Sequence, residues 1–193
     1  MNRNIKIVVI GGSAGSFDVV KKILCSVPKE FSLPVVLCLH RLRDVRNGFV
    51  ESLNIDSKIS VKEPLDKEQI KPGFVYLSPS NYHLLIEPGR YFALSTEAER
   101  NYSRPSLDIT FESAGYSFRE NMAGIILSGA NTDGAKGLFS AFQDGAFSII
   151  QDPQNAQFSI MPGEVLKYFK PHKVLTCEEI IDFFDSLKYN KYV

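Results

Sequence analysis

The stretch Ile5-Lys6-Ile7-Val8-Val9-Ile10-Gly11-Gly12-Ser13-Ala14-Gly15-Ser16 decides the fold that this sequence predicts. Its first half is a nearly continuous run of apolar, mostly β-branched residues, which is typical of a strand buried on both faces of a sheet. The glycines and serines that follow predict a tight turn, and apolar residues then recur at helical spacing from Phe17 to Val27. The stretch therefore predicts the first strand, turn and helix of an α/β protein.

The same unit returns further along the chain. Residues 34–40 (Pro-Val-Val-Leu-Cys-Leu-His) predict a second buried strand, and residues 48–53 predict a second helical segment. Apolar runs at 122–127 and 146–150 predict two more buried strands, separated by a helix over 133–142. This alternation favours the α/β class, with a doubly wound, mostly parallel sheet and helices on both faces.

Two other segments complete the predicted organisation. Short alternating strands over 57–96 predict an antiparallel insertion, with a small hairpin around the turn residues Pro88-Gly89. Near the end of the chain, Thr176 and Glu179 have the spacing of a capping box and predict the start of a final amphipathic helix over 178–187.

The composition is that of an ordinary globular protein. The 193 residues are 44% hydrophobic and 23% charged, and we expect a single domain over 1–193. Twenty-two basic residues balance 22 acidic ones, so no overall positive charge favours a nucleic-acid partner.

The three cysteines have no metal-binding spacing. No apolar run approaches the roughly 20 residues of a membrane span. We expect a cytoplasmic protein with no membrane insertion, cofactor or metal.

Polar side chains follow three of the predicted buried strands. Ser13 follows the first strand, His40 the second, and Asp133 lies in the loop after the strand at 122–127. Because the carboxyl ends of parallel strands meet at one edge of a sheet, we expect these side chains to lie close together. A serine nucleophile, a histidine that accepts its proton and a carboxylate that orients the histidine form a catalytic triad.

Each of these residues also has a simpler interpretation. Residues 11–15 fit the pattern G-x-S-x-G, but a glycine turn that packs a helix against a strand has the same appearance. A phosphate-binding loop is a third interpretation, although neither G-x-G-x-x-G nor the lysine of a P-loop is present. His40 and Asp133 could serve as a structural hydrogen-bonding group and a helix cap. Cys38 lies two residues before His40, so a cysteine–histidine pair is conceivable, but its apolar neighbours favour burial.

Five motifs in this order resemble the catalytic domain of the chemotaxis protein-glutamate methylesterase (CheB) family over nearly the whole chain. The motifs are residues 10–15, the strand end Leu39-His40, residues 104–108, residues 128–137 and Met161-Pro162. The resemblance implies hydrolysis of glutamate γ-methyl esters in receptor signalling helices, with release of methanol, and deamidation of glutamine as a second reaction. It also implies that Ser13 is the nucleophile, His40 the general base and Asp133 the residue that orients His40.

The fourth motif begins differently from the family pattern. Relatives usually have T-G-M-G-N-D-G where this chain has S-G-A-N-T-D-G over 128–134, so a methionine and a glycine are replaced by Ala130 and Asn131. We expect backbone amides near Ala14 and around Ala130 and Asn131 to stabilise the oxyanion. The predicted oxyanion and pocket residues are Ala14, Ala130, Asn131, Arg104 and Met161.

The sequence starts at the predicted catalytic strand, without the receiver domain of the full-length family. We therefore expect a stand-alone enzyme that is constitutive or controlled by another protein. The expected partner is a methylated chemoreceptor or other signalling protein, with a sensor kinase or a separate regulator as further candidates. Two alternatives remain open: a weak or inactive interaction module in a sensory complex, and a serine esterase that acts on another ester.

Overall fold

The structure, a computed structural model, describes residues 4–41 and 48–187. Strands and helices alternate along most of this part of the chain. In order they are β1 (Ile7–Gly12), α1 (Phe17–Ser26), β2 (Val35–Leu39), α2 (Phe49–Asp56), β3 (Ser60–Lys62), β4 (Phe74–Leu77), β5 (His83–Glu87), β6 (Tyr91–Ser95), α3 (Leu107–Phe118), β7 (Met122–Ile126), α4 (Ala135–Gln143), β8 (Phe147–Gln151), α5 (Ile160–Tyr168), β9 (Lys173–Leu175) and α6 (Cys177–Leu187).

Seven parallel strands form the central sheet, in the order β3-β4-β2-β1-β7-β8-β9. The chain winds outward from β1 through β2 on one side and returns to β7 on the other, which confirms the doubly wound arrangement. Gly11 of β1 pairs with Cys38 of β2 and with Ile126 of β7, so these three strands end at the same level. The loops that follow them therefore share one edge of the sheet.

Each face of the sheet has its own hydrophobic core. Within β1, Val8 and Ile10 face a core covered by α1, α2 and α6, whereas Ile7 and Val9 face a core covered by α3, α4, α5 and the β5–β6 hairpin. All four side chains are completely buried. This is why the strand has an unbroken apolar sequence rather than an alternating one.

The prediction of an antiparallel insertion over 57–96 is wrong in part. Of its four strands, only β5 and β6 pair antiparallel, as the predicted hairpin, while β3 and β4 extend the parallel sheet next to β2. Val75, Tyr76 and Leu77 of β4 are all buried, which is the pattern of a strand covered on both faces. The capping box before α6 is confirmed, because the Thr176 N–H donates to Glu179 Oε2 (2.8 Å) and the Glu179 N–H donates to Thr176 Oγ1 (3.3 Å).

Two glycines allow α3 and α4 to pack closely. A Cβ atom added at Gly115 would lie 2.5 Å from Ala141 Cα, and one added at Gly137 would lie 2.5 Å from Asp108 Cα. Both neighbouring atoms are backbone, so rotation of a side chain cannot relieve the overlap. The contact also brings the Gly137 N–H within 2.7 Å of Asp108 Oδ1.

We predict that Gly137→Ala destabilises the protein by about 1–3 kcal/mol, because the two helices must move apart. The matched control is Gly163→Ala in α5, where an added Cβ has no neighbour within 4 Å. Alanine is the better helix former, so the control should gain about 0.5–1 kcal/mol. Urea unfolding of both variants checks this, and equal effects would contradict the proposed role of the close contact.

Candidate active site

Ser13 lies in the turn that joins β1 to α1. Its N–H donates to Ser128 O (3.0 Å), which ties the turn to the loop after β7. The N–H and the hydroxyl of Ser16 both donate to Ser13 O, at 3.1 and 2.7 Å. Gly15 has φ +77°, and a Cβ there would lie 2.8 Å from Ser128 Oγ, so the turn requires glycine at this position. These contacts hold Ser13 directly beyond the edge of the sheet.

His40 follows β2 and lies beside the Ser13 turn. Its backbone N–H donates to Gly12 O (3.0 Å), which continues the pairing of β1 and β2 to the residue before Ser13. Its ring Nε2 lies 2.9 Å from Asp133 Oδ2. The structure thus places Ser13, His40 and Asp133, the three residues predicted to follow buried strands, next to one another.

Asp133 is completely buried and its carboxylate is surrounded by donors. Oδ1 accepts from Asn101 Nδ2 (2.9 Å), Ser106 Oγ (2.9 Å) and Asp108 N–H (3.3 Å), and Oδ2 accepts from Leu107 N–H (2.6 Å) and His40 Nε2 (2.9 Å). Since α3 begins at Leu107, the Leu107 and Asp108 N–H groups are the first two amides of this helix. The helix dipole favours a negative charge at this end.

The hydrogen bonds determine the charge of Asp133. Burial is the largest single influence and acts to raise the pKa of this carboxyl, but donation from His40, Asn101 and the Leu107 N–H acts in the opposite direction. The net result is a pKa below the ordinary aspartate value. Asp133 is therefore ionised at neutral pH, and its carboxylate accepts a hydrogen bond from the Nε2–H group of His40. In the neutral imidazole, the other ring nitrogen, Nδ1, is then the acceptor and the basic atom.

A second buried carboxylate, Asp108, lies next to the first. Its Oδ1 accepts from the Gly134 and Gly137 N–H groups, at 2.9 and 2.7 Å, and its Oδ2 accepts from Asn101 Nδ2 (2.8 Å). Burial raises the pKa of Asp108 and the charge of Asp133 adds to this effect, against the hydrogen bond from Gly137. Asn101 thus donates to both carboxylates and links them.

Two cavities open beside Ser13 and His40. One, of about 540 Å³, has a largely apolar wall that includes Phe17, Leu39 and Phe49. The other, of about 460 Å³, has a more polar wall that includes Arg104 and Asn131. Because both contain Ser13 and His40 in their walls, a substrate bound in either one reaches these side chains.

Asn131 contacts the basic atom of His40. Its Nδ2 lies 3.0 Å from His40 Nδ1, and its Oδ1 accepts from the Asp133 N–H (3.2 Å). Within the described part of the chain, the ring nitrogens of His40 bond to Asp133 and Asn131, and neither bonds to Ser13. The loop after β7 therefore supplies contacts to both sides of the imidazole.

The other predicted pocket residues occupy different places. Arg104 lines the polar cavity, but its guanidinium donates to Thr96 O (2.6 Å), Glu97 O (2.8 Å) and Asn81 Oδ1 (2.8 Å), so it also holds the loop before α3. Met161 is completely buried against Gly129, where an added Cβ would lie 2.7 Å from its sulfur.

Two of the predicted oxyanion amides, those of Ala14 and Ala130, have no competing acceptor among the described residues. Across residues 4–41 and 48–187, the N–H groups of Ala14 and Ala130 donate no hydrogen bond. Ala14 also lines both cavities, whereas Ala130 is exposed in the loop after β7. Stabilisation of the oxyanion by these amides stays a prediction.

Sequence reasoning missed two supports of Asp133. Asn101 falls in a segment that indicates only loop, and the motif at 104–108 includes Ser106 without indicating its function. Asn101 has φ +54°, in the left-handed region that asparagine tolerates better than most residues. That preference is the only sequence signal for a special position here.

Cys38 does not form a nucleophilic pair with His40. The thiol is completely buried, and its sulfur accepts a hydrogen bond from the Thr110 hydroxyl (3.4 Å). Burial raises the pKa of Cys38 to about 12, so the reactive thiolate is absent at neutral pH. The simpler interpretation of Cys38 as a core residue is correct.

Within residues 4–41 and 48–187, the structure contains neither a cluster of metal-ligating side chains nor a membrane-spanning helix. No group of three or more His, Cys, Asp or Glu side chains there is placed to hold a metal ion. No helix among those residues has the length and apolar character needed to cross a membrane.

We predict a pH-dependent contribution of Asp133 to stability. Because folding lowers its pKa, ionised Asp133 stabilises the folded state above the unfolded value of about 4, and this contribution disappears as the pH falls through the lower, folded value. The free energy of unfolding of the wild type should therefore exceed that of Asp133→Asn at pH 7 by more than at pH 3. Urea unfolding across this range checks the prediction, and a constant difference would contradict it.

Known proteins with similar sequences carry a consistent name. A protein of Leptospira interrogans, named for protein-glutamate methylesterase and protein-glutamine glutaminase, is 37% identical over 187 residues, which is 97% of each chain. A Thermotoga maritima protein with the same two activities in its name is 32% identical over 165 residues. That match covers 84% of this chain and 48% of the Thermotoga protein, so this chain spans about half its length.

A solved structure and a family model agree with these relatives. The crystal structure of the Thermotoga maritima CheB methylesterase catalytic domain matches with a TM-score of 0.89 and 31% identity, over 95% of this chain and 98% of that one. The family model described as CheB methylesterase matches residues 8–184. The comparisons confirm the resemblance that the five motifs predicted, and the chain belongs to the CheB methylesterase family of ester hydrolases.

Proposed function

We propose that this chain is a serine hydrolase that removes the methyl group from glutamate γ-methyl esters of chemoreceptor signalling helices. Ser13 is the nucleophile, His40 the general base and Asp133 the residue that orients His40. Deamidation of glutamine at the same site is a second reaction, since relatives carry both activities in their names. The observation that carries the proposal is the buried, ionised Asp133 bonded to His40 beside the Ser13 turn.

Asp133 prepares His40 for acid–base chemistry. The hydrogen bond to Oδ2 keeps the proton on Nε2 and leaves Nδ1 as the base. When Nδ1 accepts a second proton, the adjacent carboxylate stabilises the imidazolium. The five donors around Asp133 keep the carboxylate in place during this change.

The first chemical step forms an acyl-enzyme. Ser13 Oγ attacks the ester carbonyl carbon while His40 Nδ1 takes the hydroxyl proton. The tetrahedral intermediate collapses, the carbon–oxygen bond to the methoxy group breaks, and His40 returns the proton so that methanol leaves. The apolar wall formed by Phe17, Leu39 and Phe49 suits a neutral methyl ester better than a charged carboxylate.

The second step restores the enzyme. Water gives a proton to His40 and attacks the acyl carbon, and the bond to Ser13 Oγ breaks as this oxygen regains its proton. The product carries the free glutamate γ-carboxylate in place of the ester. Its negative charge is unfavourable against the apolar wall, which favours product release.

The partner in this proposal is a methylated chemoreceptor or another signalling protein with the same modified side chain. A sensor kinase or a separate regulator would control the reaction. The cavities beside Ser13 open at the end of the sheet, where a glutamate side chain projecting from a helix can enter.

We predict that wild-type protein releases methanol from methylated receptor signalling domains at neutral pH and that Ser13→Ala does not. Loss of a triad serine lowers kcat by about 10⁶ in a comparable hydrolase. The matched control is Ser186→Ala, because Ser186 is exposed on α6 and should leave the rate unchanged. Gas chromatography of methanol, with circular dichroism to confirm folding, provides the measurement.

Other outcomes would identify the alternatives. Labelling of Ser13 by a fluorophosphonate probe, with hydrolysis of simple acyl esters and no methanol from receptors, would indicate a serine esterase with another substrate. Receptor binding that survives Ser13→Ala, with neither labelling nor methanol release in the wild type, would indicate an interaction module. Either result would overturn the proposed substrate.

A further inference from the structure

We propose that Asn131 restrains the general base: its carboxamide occupies His40 Nδ1 and must turn away before Ser13 can be activated. This inference rests on the proposed function, because it concerns the same serine and histidine. Asn131 acts through His40, so it is a positioning residue. The proposal differs from the earlier expectation that the region around Asn131 stabilises the oxyanion.

The chemistry of the imidazole makes the contact significant. The neutral ring has one acceptor lone pair, and Asp133 places it on Nδ1 by accepting from Nε2. Asn131 Nδ2 donates to that lone pair at 3.0 Å. A hydroxyl that gives its proton to Nδ1 needs the same lone pair. Ser13 and Asn131 therefore compete for a single acceptor.

A second contact determines which end of the Asn131 amide faces His40. Its oxygen accepts from the Asp133 N–H (3.2 Å), so the NH₂ group is the end that faces Nδ1. The reverse orientation would direct an oxygen at a nitrogen lone pair and an NH₂ group at an N–H, which is unfavourable at both contacts. The restraint is thus built from the same short loop that provides Asp133.

The surroundings of Asn131 allow the amide to move. The side chain is half-buried, while the neighbours Ala130 and Thr132 are exposed. Asn131 also lines the polar cavity together with Ser13 and His40. To free Nδ1, the amide must break its hydrogen bond to His40, and a substrate in this cavity lies beside Asn131, Ser13 and His40.

The test measures the reactivity of Ser13 directly, by the rate of labelling with a fluorophosphonate probe. In Asn131→Ala the acceptor is free, so the rate should rise about 3- to 10-fold, the effect of no longer breaking one ordinary hydrogen bond. In Asn131→Asp the new carboxylate accepts from a protonated Nδ1 and holds the base in its acid form, so the rate should fall by about 10-fold or more. Thr132→Ala, in the same loop, is the matched control and should not change the rate.

Opposite results would overturn the restraint. If the side-chain carboxamide of Asn131 donates to the oxyanion instead, Asn131→Ala should lower the rate of ester turnover by about 10²- to 10³-fold. An unchanged labelling rate in Asn131→Ala, or no labelling of either wild type or this variant, would also overturn the proposal. Faster labelling of Asn131→Ala together with slower labelling of Asn131→Asp would support it.

A spectroscopic measurement separates the restraint from a general effect on folding. Nitrogen-15 NMR of the imidazole rings should show the Nε2–H tautomer of His40 in the wild type. The Nδ1 signal should move to higher frequency in Asn131→Ala, as an acceptor nitrogen does when it loses a donor, and stay unchanged in Thr132→Ala. The chain has three histidines, so each ring can be assigned by substitution. An unmoved Nδ1 signal would contradict the contact itself.

The two proposals can fail separately. Wild type that releases methanol while Asn131→Ala reacts more slowly would overturn the restraint and leave the proposed function intact. Faster labelling and the shifted Nδ1 signal in Asn131→Ala, without methanol release from receptors by any form, would support the restraint and overturn the proposed substrate.

Discussion

A buried, ionised carboxylate is the constraint on which the site depends. Placing Asp133 in the interior is unfavourable unless donors replace the lost water, and five groups do so. They come from the end of β2, the loop before α3 and the first turn of α3. Satisfying one charge therefore requires two separate parts of the chain, His40 and residues 101–108, to adopt definite positions, and the orientation of His40 follows from the same requirement.

The second carboxylate shows how closely the site and the helix packing are connected. Asp108 lies near Asp133, and the repulsion between them is one reason why its pKa is raised. Asn101 and the amides of Gly134 and Gly137 offset the burial of Asp108. The amide of Gly137 reaches Asp108 only because α3 and α4 approach closely, which the missing side chain at Gly137 permits. Helix packing and site electrostatics therefore depend on the same glycine.

Particular residues show what could be predicted from the sequence. Ser13, His40 and Asp133 each follow a buried strand, and parallel strands end at one edge, so pattern and topology sufficed to bring them together. The loop containing Asn101 has no periodicity, and its role arises from a contact with Asp133, 32 positions away. The sequence predicts antiparallel pairing for β3 and β4, which instead pair parallel, because a short apolar run does not indicate which strand lies beside it in the sheet.

The sequence by itself determined the doubly wound class, the family and the three residues at the strand ends, because periodicity and local motifs depend on residues that are close together along the chain. Only the tertiary structure decided the charge of Asp133, the basic nitrogen of His40 and the contact of Asn131 with that nitrogen. These properties depend on burial and on hydrogen bonds between distant segments, whose distances and directions exist only after the strands and helices have packed.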